Sequence, residues 1–129
     1  MLKKTIKYTD FDGKERVEDF YFNLTQIELT KMSVSKDEGL ETYIRKIIES
    51  KNMKEIFDIF QEIILMAYGE KSEDGKRFIK KKNGVRLADE FADSAAFEAL
   101  FVELASDEKV AAEFFQGIIP NEAQAVINA

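Results

Sequence analysis

The 129-residue chain contains no cysteine, no histidine and no tryptophan, and it has a single proline. Without cysteine there is no disulfide framework and no thiolate that could act as a nucleophile or metal ligand. Without histidine, the common nucleophile–base pairs and most transition-metal sites are also excluded. We therefore expect a fold held by side-chain packing, and the eleven phenylalanines predict a core rich in plain aromatic contacts.

Long hydrophobic runs are also missing. No apolar run approaches the roughly 18 residues that a membrane span requires, and the opening MLKKTIKYTD lacks the apolar core of a signal peptide. We expect a soluble intracellular protein with no membrane partner. The 45% hydrophobic and 34% charged content is typical of a globular domain. The length favours one domain over residues 1–117, with 118–129 as a mobile tail.

Positive charge is concentrated in one segment. The net charge is −6, yet the segment KRFIKKKNGVR at 76–86 carries six basic residues and no acid, which leaves −12 on the rest of the chain. Such an acidic body argues against a nucleic-acid partner, because nucleic-acid binding needs a basic face several residues wide. We interpret the basic segment as a solvated connector or, alternatively, as a docking point for an acidic partner such as a neighbouring subunit.

The N-terminal residues predict a β-hairpin over 2–24. Apolar and polar side chains alternate in residues 2–8 and again in 19–24, with Asp12-Gly13 between the two runs. A loop of odd length pairs even-numbered residues with even-numbered ones, and only this register places both apolar rows on one face. We therefore expect the odd loop, with Gly13 in the left-handed conformation of a bulged turn. The apolar face needs helices beneath it, since an isolated hairpin is marginally stable.

Apolar residues at helical spacing then predict helices at 26–32, 38–50, 53–68, 86–92, 95–105 and 107–116. The expected caps are Thr25 with Glu28, Ser35 with Glu38, Asn52, Ser94 and Ser106-Asp107 at the N-termini, and Gly69 and Gly117 at the C-termini. Residues 69–84 are expected to form a loose excursion held by Phe78 and Ile79. The predicted fold class is α+β, mostly α: an N-terminal β-hairpin followed by a bundle of five to six helices.

The helix predicted at 53–68 has an apolar face wider than one core contact needs, and apolar residues are also in surplus near residue 115. Surplus apolar surface commonly marks a partner site, and a groove for a helical target would suit it. The candidate partner-binding residues are Ile59, Ile63, Met66, Phe114, Phe115, Ile118 and Ile119. The alternative is burial within the domain, with Phe20 and Phe22 crossing the helix flank and Phe115 packing on the tail or a neighbouring helix.

No motif supports an enzyme. Acids such as Glu55, Asp58 and Glu62 fall on the polar arc of the long helix, where solvation explains them. Residues 10–15 loosely resemble a calcium loop, but a lysine stands at a ligand position and no helices flank it. No phosphate-binding glycine loop or dinucleotide motif occurs. We expect no catalytic residues, no cofactor and no metal.

Three segments carry a resemblance to a known family: FDGKERVEDFYFNLTQIELTKM (11–32), IILMAYGEKSEDGKRFIK (63–80) and EFADSAAFEALFVELASDEKVAAEFFQGIIP (90–120). They resemble a tail assembly chaperone of siphophages and prophages of Gram-positive bacteria. The resemblance implies a non-enzymatic protein that binds the tape measure protein. It would hold this client soluble in the host cytoplasm while the tail tube protein polymerises around it, and it would be missing from the mature virion. Self-association is also implied.

Two other functions remain open at this point: a structural tail component, such as a connector or completion protein retained in the virion, and a small host-directed regulator acting as an acidic binding module. If the candidate residues form the client site, Ile59→Asp or Phe115→Asp should weaken client binding or self-association and leave helicity largely intact.

Overall fold

The computed structural model describes residues 1–35 and 40–119, in which an antiparallel sheet packs against helices in the α+β arrangement that the sequence predicts. The strands are β1 (Leu2–Thr9), β2 (Glu15–Phe22), β3 (Tyr68–Lys71), β4 (Phe78–Ile79), β5 (Lys81–Lys82) and β6 (Val85–Arg86). The helices are α1 (Gln26–Ser35), α2 (Leu40–Ser50), α3 (Met53–Ala67), α4 (Leu87–Ala92), α5 (Ala95–Ser106) and α6 (Glu108–Ile118). The predicted start of the second helix at residue 38 lies within residues 36–39, outside the described residues, and so does Glu38 of its predicted cap. Ser35, the other residue of that cap, is the last residue of α1.

The N-terminal hairpin has the predicted register. Leu2 lies opposite Phe22 and Ile6 opposite Glu18, so even-numbered residues pair with even-numbered ones across a five-residue loop at 10–14. Gly13 has a φ of 82°, in the left-handed region that favours glycine. The carboxylate of Asp10 accepts hydrogen bonds from two backbone N–H groups of the loop, which holds the turn closed.

The sheet is larger than the two strands predicted. In the described residues its order is β1-β2-β3-β4, with Gly69 opposite Tyr21 and Glu70 opposite Ile79. Strands β5 and β6 form a separate hairpin around Asn83 and Gly84, both with positive φ, as a two-residue turn requires. The loose excursion predicted at 69–84 is therefore wrong, although its predicted anchors Phe78 and Ile79 do join the sheet as β4. The strands of this segment are only two to four residues long and lack the apolar alternation that reveals a strand.

Gly69 does not end the long helix in the left-handed conformation, and that prediction is wrong. Helix α3 ends at Ala67, Tyr68 is already extended, and Gly69 lies within β3 without a positive φ. Glycine is needed there because a Cβ atom would lie 2.5 Å from Cε2 of Phe78 and 2.6 Å from the carbonyl oxygen of Ile79. Glycine is required at position 69 by the close packing of β3 on β4 and not by a turn.

Lys80 helps to close the end of α3. Its Nζ donates hydrogen bonds to the carbonyl oxygens of Met66 at 2.5 Å and Asn23 at 3.0 Å, and lies 3.3 Å from Oε2 of Glu28. The Met66 carbonyl is among those that a helix C-terminus leaves without a partner, at the negative end of the helix dipole. Burial lowers the pKa of Lys80 from its usual 10.5, and Glu28 partly opposes this shift. At least this basic residue is structural and not part of a solvated connector.

Replacing Lys80 by methionine should lower the free energy of unfolding by about 1–2 kcal/mol, because two carbonyl groups lose their donor. The loss is limited because the cost of burying the ammonium is relieved. Lys82→Met is the matched control. Lys82 forms an exposed ion pair with Glu70, and its loss should cost about 0.5 kcal/mol or less. Urea denaturation of both variants measures the change in the free energy of unfolding. Equal changes for the two variants would contradict the structural role of Lys80.

The difference in stability between the wild type and Lys80→Met should depend on pH. Because the pKa of Lys80 is lower in the folded protein, the unfolded chain binds more protons at pH values between the two pKa values. The stability of the wild type relative to Lys80→Met should therefore rise with pH in a window that ends near 10.5. Urea midpoints of both proteins measured across that window test this prediction. A difference between the two midpoints that stayed constant or fell with pH would contradict the lowered pKa of Lys80.

The N-terminal caps follow the sequence closely. Thr25 and Glu28 form a reciprocal capping box, and the side chains of Asn52 and Ser94 accept hydrogen bonds from the third residue of their helices. Asp107 caps α6 through the N–H groups of two residues, while Ser106 is the last residue of α5. These caps depend on local sequence alone, which explains why they were predictable.

The last helix is longer than predicted. Gly117 does not end α6 but lies inside it, where its missing Cβ lets the helix approach Leu2 of β1. Ile118 and Ile119 are buried and belong to the core, so the tail predicted to begin at residue 118 starts too early. Residues 120–129 of that prediction lie outside the described residues.

Candidate partner-binding surface

The structure buries the α3 residues that were predicted to bind a partner. Ile59 is 3% exposed and Ile63 is fully buried, while Met66 is partly buried at the edge of the core. The reason is that α2, α4 and α5 all contact α3, so its wide apolar face is covered by several helices. The width of this face serves the protein's own core, as the alternative held. The covering elements are helices, while Phe20 and Phe22 of the hairpin pack on Tyr68 and Phe91.

The four candidate residues at the end of α6 are buried as well. Phe114 packs edge-on against Phe22 of the hairpin, with 5.1 Å between ring centroids, and Phe115 packs edge-on against Phe60 of α3 at 4.9 Å. The two adjacent rings therefore face different neighbours, and the out-of-phase ring is covered by α3. The exposure that a partner site at these residues requires is not found.

Other apolar side chains of α3 and α5 are exposed. Met53 and Val102 are each 55% exposed and Phe57 is 46% exposed. Phe57 stacks on Phe101 with 4.5 Å between ring centroids. The depression at this place, which we call the α3–α5 groove, is lined by Phe57, Gln61, Phe97, Glu98, Phe101, Val102, Ala105 and Ser106.

Periodicity alone missed this groove for a physical reason. It identifies Met53 and Phe57 as members of the apolar face of α3 but does not show how far along the helix axis the core extends. Helix α5 has apolar residues on most of its circumference, so its sequence does not mark Val102 as outward-facing. The available signal was the continuation of the apolar face of α3 to its first residue, Met53.

Glu98 is the charged residue in the lining of the groove. The exposed acids Glu55, Asp58 and Glu62 lie on the polar side of α3, about 100° or more around the helix from Phe57, and α3 also carries exposed Lys54. An apolar groove with a carboxylate in its lining can bind an amphipathic helix that has a lysine or arginine beside its apolar stripe.

A second depression lies between α2 and α6 and is lined by Ile44, Arg45, Ile48, Glu49, Glu108, Ala112, Phe115, Gln116 and Ile119. Its charged residues have both signs, so it favours no charge on a ligand. It also ends at Ile119, next to residues outside the described part of the chain. The α3–α5 groove is the apolar surface whose lining and surroundings are both described.

Within residues 1–35 and 40–119, no group of three or more acids is arranged to hold a metal ion. No helix in these same ranges is both long and apolar enough to cross a bilayer. A small helix-rich domain with an exposed apolar groove on an acidic surface has the features of a protein-binding module.

Comparison with protein families identifies which kind of protein-binding module this is. The model of the phage tail assembly chaperone family matches residues 1–129, and the chain belongs to this family. The resemblance seen in the sequence is thereby confirmed. No curated protein and no solved structure matches the chain. Assembly chaperone families are typically non-enzymatic, and their role implies protein partners in tail assembly.

Proposed function

We propose that this protein binds the tape measure protein and keeps it soluble while the tail tube assembles. It acts in the host cytoplasm, leaves before the virion matures, and contacts the tail tube protein only as the client is transferred. The observation that supports this role is the exposed α3–α5 groove in a member of a tail assembly chaperone family. Nucleic acid and membrane are not partners in this proposal.

The groove suits a long helical client for energetic reasons. Each client segment that covers Phe57 and Val102 removes apolar surface from water, which stabilises the complex by about 25 cal/mol per Å² buried, before the cost of association is subtracted. A shallow groove buries a limited area per site, so a growing tail tube can displace the chaperone. The net charge of −6 favours solubility of the complex, because its copies repel one another.

Co-expression with the tape measure protein tests the proposal. The soluble fraction of the client, measured after centrifugation, should rise strongly when the wild-type chaperone is present. Val102→Asp should reduce this effect because it places a carboxylate in the groove. Val17→Asp is the matched control, since Val17 is 64% exposed on the hairpin, away from the groove.

The outcomes separate the function from the site. If the client stays insoluble with wild-type protein, the proposed function is wrong. If the client is soluble with all three proteins, the function stands and the groove is not the site. Mass spectrometry of purified virions distinguishes the chaperone from a structural tail component. A chaperone should be missing from the particle, whereas a connector or completion protein should be present.

A further inference from the structure

Strand β2 has an open edge along most of its length. All eight of its residues pair with β1, whereas pairing with β3 is limited to Tyr21 and Phe22. Beyond that point β3 diverges from β2, and Glu70 and Lys71 pair with β4. In the part of the chain that the structure describes, residues 15–20 of β2 therefore have a neighbouring strand on one side only.

Three residues of this segment direct their backbone hydrogen-bonding groups toward the open side. The N–H of Asn23 donates to the carbonyl oxygen of Ala67 at 2.8 Å, on the side of β2 away from β1, and alternate residues of a strand face the same way. Glu15, Val17 and Asp19 therefore point their N–H and C=O groups away from β1. All three are exposed, and no donor or acceptor of the described residues meets these groups. We call these three residues the β2 edge.

The space beside the β2 edge is accessible. A depression at the fork between β2 and β3 is lined by strand residues 18–21 and 68–71. An exposed strand edge can accept an extended peptide as an additional strand, held by main-chain hydrogen bonds. Because β3 already occupies the position opposite Tyr21, an added strand has room opposite residues 15–19.

The side chains of the β2 edge determine which peptide fits. Glu15, Val17 and Asp19 lie on one face of the sheet, so that an acid stands on each side of the valine. No lysine or arginine nitrogen of the described chain lies within 4 Å of either carboxylate. Lys3 and Lys7 share this face but lie on β1, away from the open side. A strand with a basic residue opposite each acid and an apolar residue opposite Val17 therefore forms favourable cross-strand pairs.

We propose that the β2 edge binds an extended segment of a different protein, in which a basic, an apolar and a second basic residue occupy alternate positions. Pairing between the β2 edges of two copies is disfavoured. Such a pair centred on Val17 places Glu15 of each copy opposite Asp19 of the other, and like charges in this arrangement repel. The contact is independent of the α3–α5 groove and of a helical client, so it gives the protein a second partner surface.

Hydrogen exchange of the full-length protein, followed by NMR, tests this contact. The probe is the peptide Ser-Lys-Thr-Val-Thr-Lys-Ser with blocked termini. At saturation, exchange at the backbone N–H groups of Glu15, Val17 and Asp19 should slow roughly tenfold or more. Exchange at Arg16 and Glu18 should change little, because their N–H groups already face β1. A peptide with glutamate in place of both lysines should bind about tenfold more weakly.

Val17→Pro removes the central outward N–H group and leaves the bonds to β1 in place. Proline is tolerated on an edge strand where its nitrogen faces solvent. This variant should bind the lysine peptide about tenfold more weakly than the wild type, whereas Val17→Thr, the matched control that keeps the N–H, should bind within about twofold. If Val17→Pro does not fold, the exchange pattern of the wild type decides by itself.

Three results overturn the proposal. The first is unchanged exchange at Glu15, Val17 and Asp19 with the lysine peptide present at about 1 mM. The second is equal binding of the lysine and glutamate peptides, or equal binding by folded Val17→Pro and Val17→Thr. The third is slow exchange at the β2 edge without peptide that is lost on dilution. That result would assign the edge to β1 of a second copy, which offers Lys3 and Lys7 on its outer face.

Discussion

Ile59→Asp is expected to unfold the protein and not merely to disable a partner site. Ile59 is 3% exposed in the central cluster of the core. A carboxylate placed there has no water and must either remain charged in an apolar environment or take up a proton, and the expected cost is about 4 kcal/mol or more. That cost is comparable with the whole stability of a small domain, which is about 5–15 kcal/mol. Circular dichroism should show lost helicity at ambient temperature.

Val102→Asp provides the matched comparison. It replaces another β-branched residue by the same acid, but Val102 is 55% exposed, so the carboxylate remains hydrated. Its change in unfolding free energy should stay within about 1 kcal/mol, while client binding falls. The sequence alone predicted the opposite for Ile59→Asp, namely intact helicity with weaker binding. A folded Ile59→Asp protein with normal thermal stability would overturn the burial of this residue.

Gly69→Ala is the second substitution with a large expected effect. The new methyl group would lie 2.6 Å from the carbonyl oxygen of Ile79, a backbone atom that cannot move without separating β3 from β4. It would also lie 2.5 Å from the ring of Phe78. We expect a loss of about 3 kcal/mol, at the upper end of the cost of overpacking, and a melting temperature lower by about 10 °C.

Gly117→Ala is the control for this prediction. Its new Cβ would lie 2.9 Å from Cδ1 of Leu2, the end of a flexible side chain that can rotate away. The substitution also gains up to about 1 kcal/mol of helix propensity within α6. The two effects nearly cancel, so its melting temperature should stay close to that of the wild type. Similar melting temperatures for both glycine variants would show that the contact with Ile79 is not rigid.

The elements that local sequence controls were predictable. The register of the hairpin follows from the parity of its loop, because one alternative places the apolar rows on opposite faces. The capping box of Thr25 and Glu28 and the caps at Asn52 and Ser94 involve residues three positions apart. Resemblance along most of the chain was enough to assign the family.

The extension of the sheet was not predictable in the same way. Strands β3 and β4 have two to four residues each, and the pairing of Gly69 with Tyr21 joins segments far apart in the chain. Short strands with few apolar residues have no periodic signal. The same holds for Lys80, whose partners Asn23 and Met66 are brought to it by the fold. Its structural role could not be read from a run of lysines.

The partner surface shows most clearly what the sequence determines and what the tertiary structure determines. Sequence alone determined the class: an α+β domain without cysteine or histidine, with an acidic net charge, a wide apolar helix predicted at 53–68 and membership of a chaperone family. Only the tertiary structure decided which apolar residues remain exposed. Periodicity fixes the direction of a side chain around its helix, but the number of neighbours packed on that helix fixes its burial. Helices α2, α4 and α5 contact α3 and leave Ile59 and Ile63 buried, whereas Met53 and Phe57 near the start of α3 remain exposed.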